Sequence, residues 1–405
     1  MEKVVITGMG VVSPIGTGLA AFEANLFAGR HGIVPLDRFD TTDMSVRVHA
    51  PVTGVDSASH VDERTARRLD AYSLFGLIAA REAMADAALT GAVDPYRLGV
   101  HMTSGMGGVG TLLDEADALL ARGARRVSPL LVPKFVGNML AGGVAIDIGA
   151  RGPAVAHVAA CAASAASIGE GMRAIRHGYA DAIVCGGAEA STRKLIAAGF
   201  ENLRALTAAS DPDRASIPFD RDRAGFVIGE GGAALVLESE SHARARGARI
   251  HAEVTGFGVT NDASHITAPA ENGAALDRAL GDALAEAGEP DRPLHVNAHG
   301  TGTVLNDRSE AASIRRVLGE GTLVTSTKSV TGHMLGAAGA VEAIAAVLAL
   351  HRGEVPPTVG TSTVADDIAV DVVHTVARPA PLTRAASLSL GFGGHNIALI
   401  LDKAA

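Results

Sequence analysis

Short apolar runs alternate along the chain with longer stretches in which apolar side chains recur at helical spacing. The runs at 4–6, 99–102, 182–184, 233–237, 294–298 and 397–401 predict strands, and the periodic stretches at 65–89, 112–122, 164–177, 273–287, 310–318 and 339–351 predict helices. Strands without a polar face, separated by helices, imply an α/β protein whose sheets are covered on both sides. No low-complexity linker interrupts the alternation. The longest apolar stretch, 335–350, spans 16 residues and contains Glu342, which suits a buried helix and not a membrane span.

The pattern also repeats. Ile6-Thr7-Gly8-Met9-Gly10-Val11 returns as Val254-Thr255-Gly256-Phe257-Gly258-Val259, an offset of 248. Leu98-Gly99-Val100 returns as Leu294-His295-Val296 at an offset of 196, each before a glycine-rich turn, and Ala174-Ile175-Arg176-His177-Gly178 returns as Ala349-Leu350-His351-Arg352-Gly353 at 175. Three matches in the same order predict a duplication, with similar halves at 1–248 and 249–405 packed as a pseudo-dimer. On the last offset Cys161 falls opposite Gly336, so one half carries a thiol where the other carries glycine.

Composition narrows the class. With 405 residues, 47% hydrophobic and 20% charged, the chain is too apolar to be disordered and long enough for more than one packed unit. Its 48 glycines, 3% aromatic residues and lack of Trp imply an interior of small and aliphatic side chains in close backbone contact. A net charge of −9 argues against nucleic acid as the partner. Two cysteines cannot form a disulfide framework, and Met1-Glu2-Lys3 runs straight into a strand, so a cytoplasmic, reducing location is expected.

Of the two cysteines, Cys185 lies inside an apolar strand and reads as core. Cys161 stands between an apolar run and a small-residue helix, at the first turn of that helix, where free backbone N–H groups can stabilise a thiolate or a developing oxyanion. His299 opens Gly300-Thr301-Gly302-Thr303 and His333 ends Ser326-Thr327-Lys328-Ser329-Val330-Thr331-Gly332; a histidine in such a turn can meet substrate and exchange a proton near neutral pH. His295 and His299 cannot share a metal, because four residues along a strand separate them by roughly 13 Å, and no metal site is expected. Gly105 to Gly110 matches a dinucleotide fingerprint in form, but Arg125-Arg126-Val127-Ser128-Pro129 stands where its acidic residue belongs. Those glycines are better explained by close packing beside a site.

Four strings in order carry a family resemblance: Val158-Ala159-Ala160-Cys161; Asn297-Ala298-His299-Gly300-Thr301-Gly302-Thr303; the Ser326 to His333 string with Leu335-Gly336-Ala337-Ala338-Gly339; and Gly391-Phe392-Gly393-Gly394-His395-Asn396. Over almost its whole length the chain resembles the β-ketoacyl-[acyl-carrier-protein] synthases of the elongating type. The resemblance implies a thiolase-like fold, two βαβαβ-type halves in a five-layer α-β-α-β-α arrangement. It implies decarboxylative Claisen condensation in fatty-acid or type II polyketide elongation, with Cys161 as nucleophile, the N–H groups of Cys161 and Phe392 as its oxyanion hole, and His299 and His333 on the malonyl thioester. Lys328 and Glu342 match residues that organise the histidines, Thr301 and Thr303 match hydroxyls that bond a phosphopantetheine arm, and Phe392 matches an aromatic gate. No cofactor is implied beyond the arm on which substrates arrive.

The chain departs from the family's pattern at Leu390, where Phe is usual, at Ala163, at Asn306 and in the 360–365 loop, which lacks an Asn-Pro; Leu390 and that loop are expected beside the gate. Met106, Leu131, Val132 and Phe200 match acyl-channel positions. Arg64, Arg67 and Arg68, at spacings of three and four, would share one helix face suited to an acidic carrier protein, with Arg125 and Arg126 as a second patch. The partners implied are acyl carrier protein and a second subunit, either a copy of this chain or a chain-length-factor-like one. A thiolase would need a second cysteine near 391–394, and a non-catalytic partner subunit typically lacks the nucleophile.

Overall fold

The computed structural model describes residues 2–55, 57–288 and 295–404. Its main strands are β1 (Val4–Ser13), β2 (Leu98–Thr103), β3 (Ala154–Val155), β4 (Ala182–Glu189) and β5 (Gly231–Ser239), then β6 (Ala252–Asn261), β7 (His295–Asn297), β8 (Leu323–Thr325), β9 (Arg384–Gly391) and β10 (His395–Lys403). Its main helices are α1 (Ala71–Asp86), α2 (Val109–Arg122), α3 (Met139–Ile148), α4 (Ala163–Arg176), α5 (Lys194–Asn202), α6 (Ala274–Ala287), α7 (Val304–Leu318) and α8 (Ala338–Arg352). Leu294, expected in a strand, lies outside the described residues.

Strand order reports the repeat directly. Read outward from the middle, one half runs β1-β5-β4-β2-β3 and the other β6-β10-β9-β7-β8, and in each the first two pairings are antiparallel and the next two parallel. Within the sheet the halves join where Val5 and Ile6 of β1 pair with Glu253 and Ala252 of β6. Helices α4 and α8 pack on each other and on strands of both halves, α1 and α3 cover the outer face of the first half, and α6 covers that of the second. The result is five layers, α-β-α-β-α, as the resemblance implied.

The repeated Gly-x-Gly string has a packing cause. A Cβ at Gly8 or Gly10 would lie 2.1 Å from the carbonyl oxygen of Ala83 or Ala79 in α1, and one at Gly256 or Gly258 would lie 2.0 or 1.8 Å from those of Ala283 or Ala279 in α6. Both halves thus bring an outer helix onto a central strand at backbone contact, which only glycine permits. The apolar stretch Leu335–Arg352 is long and apolar enough to cross a membrane, yet it is mostly buried, with α8 sandwiched between the two halves.

One expected helix divides. The stretch 65–89 forms a turn at Glu63–Ala66 and then α1, because Asp70 leaves the helical path to cap α1 at Tyr72 N and to accept from Thr111 N and Oγ1. Arg64, Arg67 and Arg68 lie before this break, on the short helical turn and its continuation, where all three are exposed and Arg67 pairs with Glu63.

Candidate active site

The central layer delivers Cys161. Cys161 sits in the tight turn Ala160–Ala162 that feeds α4, with Ala160 in the left-handed region at φ 48°. Gly391 presses on this turn: a Cβ there would stand 2.6 Å from Ala159 O and 3.4 Å from Cys161 N. The backbone N–H of Phe392, next in the chain, favours the ionised form of Cys161. Burial pushes that thiol up to about 12, with Lys328 pulling the other way. The helix-terminus stabilisation expected from the sequence is outweighed, and Cys161 rests as a thiol. Cys185 lies fully buried in β4, as core.

The second half delivers two histidines. His299 follows β7, and its N–H and that of Gly300 donate to the two oxygens of buried Glu310 at 2.6 and 2.8 Å. Lys328 Nζ, ion-paired with Glu342 in the interior, donates to His299 Nδ1 at 3.2 Å. His333 Nδ1 accepts from Leu335 N at 3.3 Å. With Nδ1 of each ring used as acceptor, both histidines carry their proton on Nε2. Burial, reinforced by Lys328, holds both well below the ordinary histidine value, so they are neutral hydrogen-bond donors. The rings meet edge to face with centroids 5.2 Å apart.

Cys161, His299, His333, Thr301, Thr303 and Phe392 line one pocket. The Thr301 and Thr303 hydroxyls are 2.9 Å apart. Phe200, Phe226 and Leu390 form apolar wall, and Asp262, Thr267, Ala268 and Pro269 add to the lining. Met106 packs in the same apolar cluster as Phe200, Cys161 and Phe392. Among the other expected residues, Leu131 and Val132 do not reach the pocket: they begin a short helix, Leu131–Phe135, on which Val132 is 64% exposed. The 360–365 loop does not line it either, because Asp220 holds that loop through Ser362 N at 2.7 Å and Thr363 N at 3.2 Å. Segment 262–269 stands beside the Phe392 loop instead, with Gly393 N donating to Ile266 O at 2.7 Å. Arg125 and Arg126 are exposed on the turn Ala124–Arg126.

Sequence reasoning missed Glu310, Glu189 and Phe226. Glu310 was legible in part, as a carboxyl on an otherwise buried helix face one turn from Asn306-Asp307; Phe226, whose ring meets His333 edge-on at 5.1 Å, gives no sequence signal.

Burial also sets the response to acid. His49 and His101 are held down to about 4 and His295 to about 3, and His157, His299, His333 and His351 are lowered too, all chiefly by burial. Each protonates near 6.5 in the unfolded chain but not in the fold, so its contribution is complete above pH 6.5 and is lost as pH falls toward the folded value. Glu189 and Glu310, pushed up to about 7, and Glu82, Asp307 and Glu342, also raised, act oppositely: their contribution is complete below the ordinary carboxyl range and is lost as pH rises through the folded value. The lowered histidines, seven against five raised carboxyls, are the more numerous, so the urea midpoint is expected to fall as pH drops from 6.5 to 4.5; a midpoint that rises over this window contradicts the balance.

Known proteins match over the same span. The Beta-ketoacyl synthase N-terminal domain family matches residues 1–243, and the Beta-ketoacyl synthase C-terminal domain family matches residues 251–362. The chain is 41% identical to 3-oxoacyl-[acyl-carrier-protein] synthase 2 of Synechocystis sp., covering 99% of this chain and 98% of that protein, and 42% identical to the protein of the same name from Vibrio cholerae, covering 99% of each. Among solved structures, the ishigamide ketosynthase/chain length factor aligns over all of both chains at 36% identity and TM-score 0.92, and a β-ketoacyl synthase from Burkholderia phymatum STM815 does so at 33% and 0.93. With the cysteine of one half and the two histidines of the other meeting in one pocket, and both family domains matched in order, the chain belongs to the β-ketoacyl synthase family.

Proposed function

We propose that the protein is an elongating ketosynthase that condenses an acyl chain held on Cys161 with malonyl-acyl carrier protein to give β-ketoacyl-acyl carrier protein. The observation that carries this reading is the pair of neutral Nε2–H donors in the same pocket as the thiol. Cys161 Sγ attacks the acyl thioester carbonyl, the N–H groups of Cys161 and Phe392 receive the oxyanion, and the carrier thiol leaves with the proton that Cys161 gives up. No separate base is consumed. The malonyl thioester oxygen then accepts from His299 and His333. As its C–CO₂ bond breaks, the electron pair passes into the enolate, whose carbon attacks the acyl-Cys161 carbonyl; the Cys161 thiolate leaves and takes a proton from water. Lys328 and Glu342 set the His299 tautomer, and Thr301 and Thr303 hold the phosphopantetheine arm, so the substrate brings the only prosthetic group the chemistry uses. Met106 and Phe200 bound the acyl chain, and Phe392 gates it.

In the same reading, 1–248 and 249–405 are the two thiolase-like halves, and exposed Arg64, Arg67, Arg68, Arg125 and Arg126 face an acidic carrier protein. A second subunit, identical or chain-length-factor-like, covers the outer strand β3 and its surroundings, where Ile146, Val155 and Val158 are exposed apolar side chains. A neighbour at 31% identity was solved as a type II PKS acyl-carrier protein in complex with its ketosynthase, which supports the carrier assignment.

The test is intact-protein and peptide mass spectrometry after incubation with acyl- and malonyl-carrier protein, alone and with candidate second subunits. An acyl adduct on Cys161, absent from Cys161→Ala, is expected. Wild-type protein that is never acylated there, at any acyl length, overturns the reading, and product lengths from the same reactions separate fatty-acid from polyketide elongation.

A further inference from the structure

One fully buried carboxyl is not used by the chemistry above. Glu189 ends β4, and two separated segments meet on it: Ser104 Oγ donates to Oε1 at 3.1 Å, while Gly105 N and Gly336 N donate to Oε2 at 2.8 and 3.1 Å. The glycines are required by this meeting. A Cβ on Gly336 would stand 2.1 Å from Gly105 N, and one on Gly105 would stand 2.8 Å from the Glu189 carboxyl itself. Each segment leads into the pocket. Gly105 precedes Met106, which packs with Cys161, Phe200 and Phe392, and Gly336 follows Leu335, whose N–H donates to His333 Nδ1 while its own backbone sits in the left-handed region at φ 44°.

Resting on the ketosynthase reading, we propose that Glu189 is a positioning residue for condensation: its carboxyl ties the Met106 loop to the Leu335–Gly336 turn and so holds the N–H that fixes the tautomer and direction of the His333 ring. Leu335 in a left-handed conformation is strained, and such a turn persists only where its surroundings impose it. The bond from Gly336 N supplies that restraint one residue from the N–H in question. Because both N–H donors share Oε2, a proton on this carboxyl belongs on Oε1, toward Ser104 Oγ. Burial pushes Glu189 up to about 7, so both forms occur near neutrality and both keep the tie. Glutamine reproduces the protonated form, its amide oxygen facing the two N–H groups and its NH₂ facing Ser104 Oγ.

The two half-reactions separate the possibilities. Acyl transfer to Cys161 uses the N–H groups of Cys161 and Phe392, whereas release of CO₂ from the malonyl thioester uses the histidines. Glu189→Ala is expected to lower kcat for decarboxylation by about 10- to 100-fold with little change in KM, and to spare acylation of Cys161 measured by mass spectrometry. Glu189→Gln is expected to stay within about threefold of wild type in both, since it retains the hydrogen bonds. If Glu189→Ala does not fold, Glu189→Asp, one methylene short of the two N–H groups, carries the same expectation. Wild-type decarboxylation in the alanine or aspartate variant overturns the proposal. So does equal loss of both half-reactions, or a glutamine variant as impaired as the alanine one. A wild type inactive in both half-reactions instead overturns the ketosynthase reading, and this inference with it.

Discussion

Replacing His333 with alanine is expected to lower decarboxylation of the malonyl thioester by about 100- to 1,000-fold, the loss produced by removing one preorganised donor to a developing oxyanion, or about 3 to 4 kcal/mol of barrier. His299→Ala is expected to match it. The two rings are neutral, carry their protons on Nε2 and have centroids 5.2 Å apart, and in the proposed reading both donate to the same oxygen. Groups that act together are non-additive, and the double variant should therefore lose much less than the product of the single losses. Acylation of Cys161 should survive in all three, because its donors are backbone N–H groups held by the Gly391 contact and the α4 turn. CO₂ release and adduct formation, measured side by side, check this. His333→Ala within about tenfold of wild-type decarboxylation would contradict a shared oxyanion role.

Lys328→Met is expected to cost about 3 to 5 kcal/mol of unfolding free energy at neutral pH, because it leaves the Glu342 carboxylate buried without its partner. Lys328 and Glu342 are 1% and 2% exposed, so water cannot take the lysine's place. The deficit has a pH signature. Without Lys328, the Glu342 carboxyl in the fold rises further above its ordinary 4.5, so the variant's loss is small below that pH and grows as pH rises. Adding Glu342→Gln should restore most of the stability but not decarboxylation, since His299 Nδ1 would still lack the donor that sets its tautomer. Urea unfolding of the single and double variants, with CO₂ release alongside, separates the two effects. A single variant as stable as wild type would show that the ion pair contributes nothing net.

Much of the architecture could be read from the chain because repeats and periodicity are properties of the sequence alone. The offset of 248 between Gly8-Met9-Gly10 and Gly256-Phe257-Gly258 points to β1 and β6, which prove to be equivalent strands at the middle of the sheet. Their ends were harder. The first strand runs on through Gly8 and Gly10 to Ser13, since glycine there makes room for a helix carbonyl that a Cβ would approach to 2.1 Å, and does not make a turn. Asp70, which the periodicity over 65–89 passes across, caps α1 and breaks the expected helix. Cys161, His299 and His333 were legible as chemistry in small-residue turns. Whether they met was not, because residue spacing says nothing of how two halves dock. Glu189 escaped because two of its partners are the backbone N–H groups of Gly105 and Gly336, which no side-chain pattern records. Leu131 and Val132 resembled channel residues by position alone, and their helix lies on the outside of the described chain.

The narrow join between the halves bears on how activity arises as the chain folds. Val5 and Ile6 pair with Glu253 and Ala252 across almost 250 residues of sequence, and Cys161 and His333, 172 residues apart, line one pocket. Contacts so distant carry a large loop-closure cost and form late. The first half, with α1 and α3 packed on its own strands, can order its sheet before the second half docks, yet the thiol then has no histidine beside it. Catalysis should return only with the final docking step, so during refolding the recovery of condensation should lag behind the recovery of helical circular dichroism.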